Sequence, residues 1–263
     1  MRPHLICLCL FCWMASGGFA RAALAVSGDP EAQPTELEVR ASLEHWARYY
    51  GYRYPVSGAL REYVLEGAPA VGIDVGWLPF AWPAEGTRTG FRLSYARLIH
   101  AVSRIHNAEL ATQSHHLSAG LAVAFAATPS VETECELLYG EHSYTVADTF
   151  VPDPHYRFIR PGALLRVEFW RLRATAGAGM RLLLDTGELE SAAWYPDAGG
   201  LGLDAQATFG VAPTKSFTVL LGVRWIAYRF NLNPNSMAPS PGGIARLALD
   251  LYLDTFAALE LLL

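Results

Sequence analysis

Apolar residues recur at every second position along most of the chain, and this two-residue period constrains the fold more than any other feature. Side chains alternate faces in this way along a β-strand. Phe209 and Val211 precede a turn at Pro213-Thr214-Lys215, and Phe217, Val219, Leu221, Val223 and Trp225 follow it. The opposite parity carries Thr208, Gly210, Thr218, Gly222 and Arg224, with Leu220 as its main apolar member. The stretch is a hairpin with one greasy face and one small, polar face. A soluble sheet buries the greasy face against a second layer, whereas a membrane barrel turns it outward to lipid.

The pattern repeats along the chain. Val71, Ile73, Val75 and Trp77 form one apolar row, Phe91, Leu93 and Tyr95 a second, and Leu117, Ala119, Leu121, Val123 and Phe125 a third. Val131, Thr133, Cys135, Leu137 and Tyr139 alternate with Glu132, Glu134 and Glu136, which places three carboxylates on one face. Leu165, Val167 and Phe169 alternate with Arg166 and Glu168, and Ala174 to Leu182 with Arg173, Thr175 and Arg181. Leu201 to Ala207 oppose Asp204 and Gln206, and the last row runs from Leu247 to Leu263 with Arg246, Asp250, Asp254 and Glu260 between. Residues 37–50 alternate too, although their composition also suits an amphipathic helix. Read as a strand, they bring the count to about ten, the even number that single-chain bacterial membrane barrels use.

The fold class expected is therefore all-β: a closed antiparallel transmembrane β-barrel of about ten strands, with short turns on one rim and long loops on the other. Short connections fall near 81–89, 128–130, 170–173 and 213–216; long ones fall near 51–67, 101–114, 142–155, 186–200 and 231–243. Phe80, Trp82, Phe91, Phe125, Phe169, Trp170, Phe209 and Phe217 collect beside the short connections, as in a girdle at headgroup depth.

Composition agrees. Charged residues make up 17% of the 263-residue chain, below the usual quarter or so, and the mean hydropathy is +0.18. A formal net charge of -5 supplies no basic footprint and excludes nucleic acid as a partner. No segment after the first 25 residues reaches the roughly 20 apolar residues of a membrane helix, so any crossing is made by strands. At the start, Arg2, the apolar residues 5–15 and a small-residue site at Ala20-Arg21-Ala22 or Ala23-Leu24-Ala25 read as a signal peptide. The organisation expected is signal peptide 1–25, a flexible polar lead over 26–36, and a barrel over 37–263. Cys7, Cys9 and Cys12 fall in the signal peptide, which leaves Cys135 without an internal disulfide partner, as a small apolar filler.

Export signal, alternating strands, unequal rims and a final strand carried to the terminus together make the chain resemble the outer-membrane β-barrel proteins of Gram-negative bacteria. The resemblance spans residues 37–263 and rests on architecture, with no motif that selects a subfamily. It implies residence in the outer membrane after export through the signal peptide, outer-membrane lipid as a partner, and handling by the barrel-insertion machinery. Such proteins typically end on an aromatic residue, usually Phe, whereas this chain ends on Leu263.

A barrel of this size is only slightly wider than the eight-stranded type, which its own side chains fill. Arg92, Glu132, Glu134, Glu136, Arg166, Glu168, Asp204, Arg224 and Asp250 are the candidate lumen-lining residues, and opposite charges in so narrow a space pair into a polar plug. The function expected is a non-enzymatic outer-membrane protein with an envelope-structural or surface-contact role, no cofactor and an undetermined surface ligand. One alternative is a narrow solute or ion channel in which Glu132, Glu134 and Glu136 attract cations. Another is a secreted soluble β-barrel.

Histidines raise a third alternative. His100, His106, His115, His116, His142 and His155 lie in or beside two successive long connections. A metal needs three or four converging ligands, and no HExxH or Cys/His spacing supplies them, so His115, His116, His142 and His155 are weak metal candidates, read first as solvated loop residues. An outer-membrane hydrolase is the other reading, because ten-stranded omptin proteases carry paired Asp and His groups on their outer rim. Asp148, Asp153, Asp185 and Asp197 are possible partners for His142 or His155, but no omptin motif matches residue by residue and none is carried over.

Overall fold

A computed structural model describes residues 36–53, 60–81, 86–105, 108–146, 152–191, 198–232 and 247–263. The expected signal peptide and nearly all of the polar lead lie outside the described residues. Eleven strand segments follow one another: β1 (Glu36–Arg53), β2 (Leu60–Ala81), β3 (Thr87–Leu98), β4 (Ala101–Ile105), β5 (Ala108–Thr128), β6 (Val131–Val146), β7 (Pro154–Phe169), β8 (Leu172–Gly187), β9 (Gly199–Thr214), β10 (Phe217–Asn231) and β11 (Leu247–Leu262). β3 and β4 both pair with β2 and β5, so they are two lengths of one stave broken at Ile99-His100. The result is a ten-stranded antiparallel barrel.

β1 pairs with β2 on one side and β11 on the other, which closes the sheet. Leu37 and Leu263 complete the seam by exchanging backbone bonds of 3.0 and 2.9 Å. Each described strand thus has a paired neighbour on both sides, the condition for a sheet to enter hydrocarbon. Residues 37–50 are thus strand: a helix there would leave the neighbouring edges of β2 and β11 open.

Orientation follows the parity. Leu221 is 64% exposed and Phe209 54%, while Asp250 and Glu260 are fully buried, so the apolar rows face outward and the ionic rows face the lumen. On β6 the outward positions are Val131, Thr133, Cys135, Leu137 and Tyr139, followed by Glu141. That apolar run matches the roughly 9–11 residues a tilted strand needs to cross a bilayer. Such a surface has no soluble counterpart, and the molecule is a transmembrane barrel. Trp77, Phe80, Phe91, Phe169, Trp170 and Phe209 are exposed at its short-turn end.

Three turns on that rim have two residues each: Pro129-Ser130, Trp170-Arg171 and Lys215-Ser216. Trp170 has φ 56°, a conformation that favours glycine at the first turn position, and it projects a large amphipathic ring at the membrane edge.

The long-loop rim departs from expectation. Residues 101–114 are not a loop: β4 and the first part of β5 form a hairpin, paired from Ala101↔Thr112 to Ile105↔Ala108. β2 likewise begins at Leu60, and β6 runs on to Val146. The reason is solvent. Beyond the apolar band the outer face meets water, so Gln113 and His115 replace leucine and valine there while Thr112, Ser114 and His116 face inward. The strand persists after its apolar alternation ends.

Candidate functional site: the lumen

The lumen has two zones. In the short-turn half, inward side chains from most staves form a lattice of ion pairs. Arg92 grips Glu134 with two hydrogen bonds of 2.7 and 2.6 Å and lies 3.4 Å from Glu38. Glu38 also accepts from Arg40 at 3.0 Å and from Arg166 at 2.7 Å. Arg166 reaches Glu132 at 3.5 Å, and Glu132 also pairs with Arg88. Glu136 pairs with Arg160, which holds Asp204 through bonds of 2.6 and 2.8 Å. Arg181 binds the same carboxylate at 2.8 Å. Arg173 joins Glu168 at 2.6 Å and Glu260, which also accepts from Arg40 at 2.8 Å.

Each carboxylate of the Glu132–Glu134–Glu136 ladder therefore has a guanidinium on it. These ionised groups escape the penalty of burial by sharing partners, with forked arginines well shaped for two carboxylates at once.

In the long-loop half the filling is aromatic. Trp46, Tyr50, Tyr63, Tyr144, Tyr156, Phe158, Tyr228, Phe230 and Tyr252 are all buried within one cluster. Tyr156 and Tyr228 pack tilted with centroids 4.2 Å apart, and Phe230 stacks on Tyr156 at 5.5 Å. Glycines make the room: a Cβ on Gly202 would meet Tyr228 at 2.8 Å and one on Gly200 would meet Phe230 at 2.5 Å. At the centre, Arg48 forms a forked pair with Asp250, both bonds 2.8 Å. Asp250 accepts two further hydrogen bonds, from Tyr156 at 2.6 Å and Tyr252 at 3.0 Å, and the Arg48 guanidinium sits 3.8 Å above the Tyr144 ring. Cation–π contact and four charge-assisted bonds hold this pair in a dry setting.

All nine candidate lumen residues lie on the inward parity of their strands, but they do not form one site. Eight belong to the ionic half, and Asp250 lies apart among the rings. Sequence reading overlooked the aromatic zone and Arg48, because these residues fall where outward leucines give way to polar groups. A signal was present: Tyr228, Phe230 and Tyr252 lie on the ionic parity of their strands.

Four of the six histidines are strand residues; His100 lies in the break between β3 and β4, and His106 lies outside the described residues. His115 and His116 lie in β5, His142 in β6 and His155 in β7. His115 and His155 face outward on either side of Glu141, at 3.4 and 3.5 Å, whereas His116 and His142 are buried inside with rings 5.7 Å apart. The barrel wall separates the two pairs, and among the described residues no group of three or more His, Cys, Asp and Glu is placed to hold a metal.

Asp153 accepts from the Val146 backbone at 2.9 Å, with its carboxyl pushed up by burial, and Asp185 pairs with Arg157 at 3.4 Å. Neither contacts His142 or His155; Asp148 and Asp197 lie outside the described residues.

The fold defines a class, the outer-membrane-type β-barrel. No protein-family model matches the chain, and no curated protein does either. Similar solved structures include the outer membrane protease OmpT of Escherichia coli, at 10% identity and TM-score 0.47, covering 92% of this chain and 100% of the other. The transport unit of the Escherichia coli autotransporter AIDA-I is 9% identical with TM-score 0.46, covering 92% and 96%. An outer membrane channel from Pseudomonas putida F1 is 7% identical with TM-score 0.42, covering 88% and 99%.

Proposed function

We propose that this chain is a non-enzymatic outer-membrane barrel with a closed lumen, acting in envelope structure or surface contact through its long-loop rim. The observation that carries this reading is the aromatic stopper, in which Tyr156, Phe158, Tyr228 and Phe230 have no exposed surface. Packed rings in contact support a closed lumen, and the ion pairs below them satisfy charges that lipid would not tolerate. Recognition by the barrel-insertion machinery belongs to the same proposal. Planar-bilayer recording tests it. The native barrel is expected to be silent at all voltages, and Tyr156→Ala/Tyr228→Ala/Phe230→Ala to give stepwise currents. Steady native conductance would refute the closed lumen.

A second reading, a narrow solute or ion channel, has one observation in its favour. Below the stopper lies a cavity of about 100 Å³ lined by arginines and carboxylates, a polar half-pathway that opening of the stopper would complete. In that reading Glu134→Gln changes the ion selectivity of native currents, whereas in the closed-barrel reading there are none to change.

A further inference from the structure

Two charged groups lining that cavity stand outside the lattice. Arg224 donates no hydrogen bond to any described residue, and its ion-pair contact with Asp254 is 3.9 Å long. Asp74 lies directly across from Arg40 in the strand register, yet Arg40 turns its guanidinium to Glu38 and Glu260. Asp74 accepts no hydrogen bond from a described residue, although Arg40 and Arg224 are within electrostatic reach of it. His116, 7% exposed, lines the same cavity. The Arg181 guanidinium lies 3.5 Å from its Nε2 and can only donate, so Nε2 is the acceptor and the ring proton sits on Nδ1, which has no partner.

The neighbouring carboxylates and guanidiniums are tied to one another; here a cation and an anion line one half-open polar cavity with no hydrogen bond to a described residue. Half-buried charges in that state can take their missing partners from a solute held in the cavity. We propose that the cavity binds a small zwitterionic solute, with its carboxylate on Arg224 and its ammonium on Asp74. A simple anion would leave Asp74 facing like charge, and a simple cation would leave Arg224 so. Since one enclosed water occupies roughly 10–15 Å³ of such volume, about 100 Å³ admits a solute of roughly half a dozen heavy atoms. Ser94, Ser118 and Gln206 line the remaining wall and supply neutral donors and acceptors. The stopper closes the long-loop side, so the solute enters from the short-turn rim, past Glu38 and Arg166.

Isothermal titration of the intact barrel in detergent micelles, with glycine, acetate and methylammonium as probes, tests the assignment. Saturable glycine binding is expected, with acetate and methylammonium each at least tenfold weaker. Arg224→Gln and Asp74→Asn should each weaken glycine binding about tenfold or more, as expected for removal of one charge-assisted contact, while keeping the heat-dependent gel shift of a folded barrel. No saturable glycine binding, acetate binding as tightly as glycine, or a folded variant that binds as well as the native protein would each overturn it. If a variant fails to fold, the ranking of the three probes on the native protein decides.

Discussion

The two halves of the lumen meet the same demand, filling a narrow cylinder inside a membrane, with opposite chemistry. The ionic half is redundant: Glu38 has three arginines around it, and Arg92, Arg40 and Arg166 each keep another carboxylate when Glu38 is taken away. The aromatic half is singular. Its one forked ion pair, Arg48–Asp250, is enclosed by rings, and no other carboxylate bonds to Arg48 among the described residues. Redundancy spreads the loss of a charge over many partners, while a lone buried pair concentrates it. The lattice should thus tolerate substitution that the stopper does not.

The sharpest way to break this contrast is Asp250→Ala, which strands Arg48 in a dry aromatic box. A loss of about 3–5 kcal/mol is expected in urea unfolding from lipid vesicles, and Arg48→Met/Asp250→Leu should recover most of it. Gly202→Ala comes next. Its new methyl would press on Tyr228 at 2.8 Å and on the Arg181 Cβ at 2.9 Å, and overpacking of this kind costs about 1–3 kcal/mol in the same assay. Glu38→Gln, in the lattice, should cost only about 1 kcal/mol, the scale of a single net hydrogen bond, because its arginines have other partners. A loss equal to that of Asp250→Ala would abolish the distinction between the halves. The smallest effect belongs to the rim: Arg157→Ala removes a pair whose side chains are 50% and 39% exposed, worth about 0–1 kcal/mol and less in high salt.

The same contrast explains what the sequence made legible. Inside the apolar band, lipid on one side and charge on the other write a strict two-residue code, so Leu221 against Arg224 or Leu137 against Glu136 could be placed without coordinates. Above the band both faces tolerate polar groups, and the code fades at Gln113, His115 and Glu141, where strands were taken for loops. Arg160 was lost for a related reason, since Pro154, Pro161 and Gly162 disguise β7 as irregular chain. The lumen-facing charges were readable one by one. Their pairing was not, because partners such as Arg166 and Glu38 are 128 residues apart and meet only once the cylinder closes.

The account stands on which parity of each strand touches hydrocarbon, and β10 offers the most direct measurement. Single cysteines at Val219, Leu221 and Val223, and separately at Leu220, Gly222 and Arg224, are labelled with a fluorophore in a Cys135→Ala background and exposed to brominated lipid. Strong quenching at the first three and little at the second three is the predicted result. The reverse pattern, or equal quenching of both sets, would contradict a barrel with its leucines in the membrane and its arginines in the lumen.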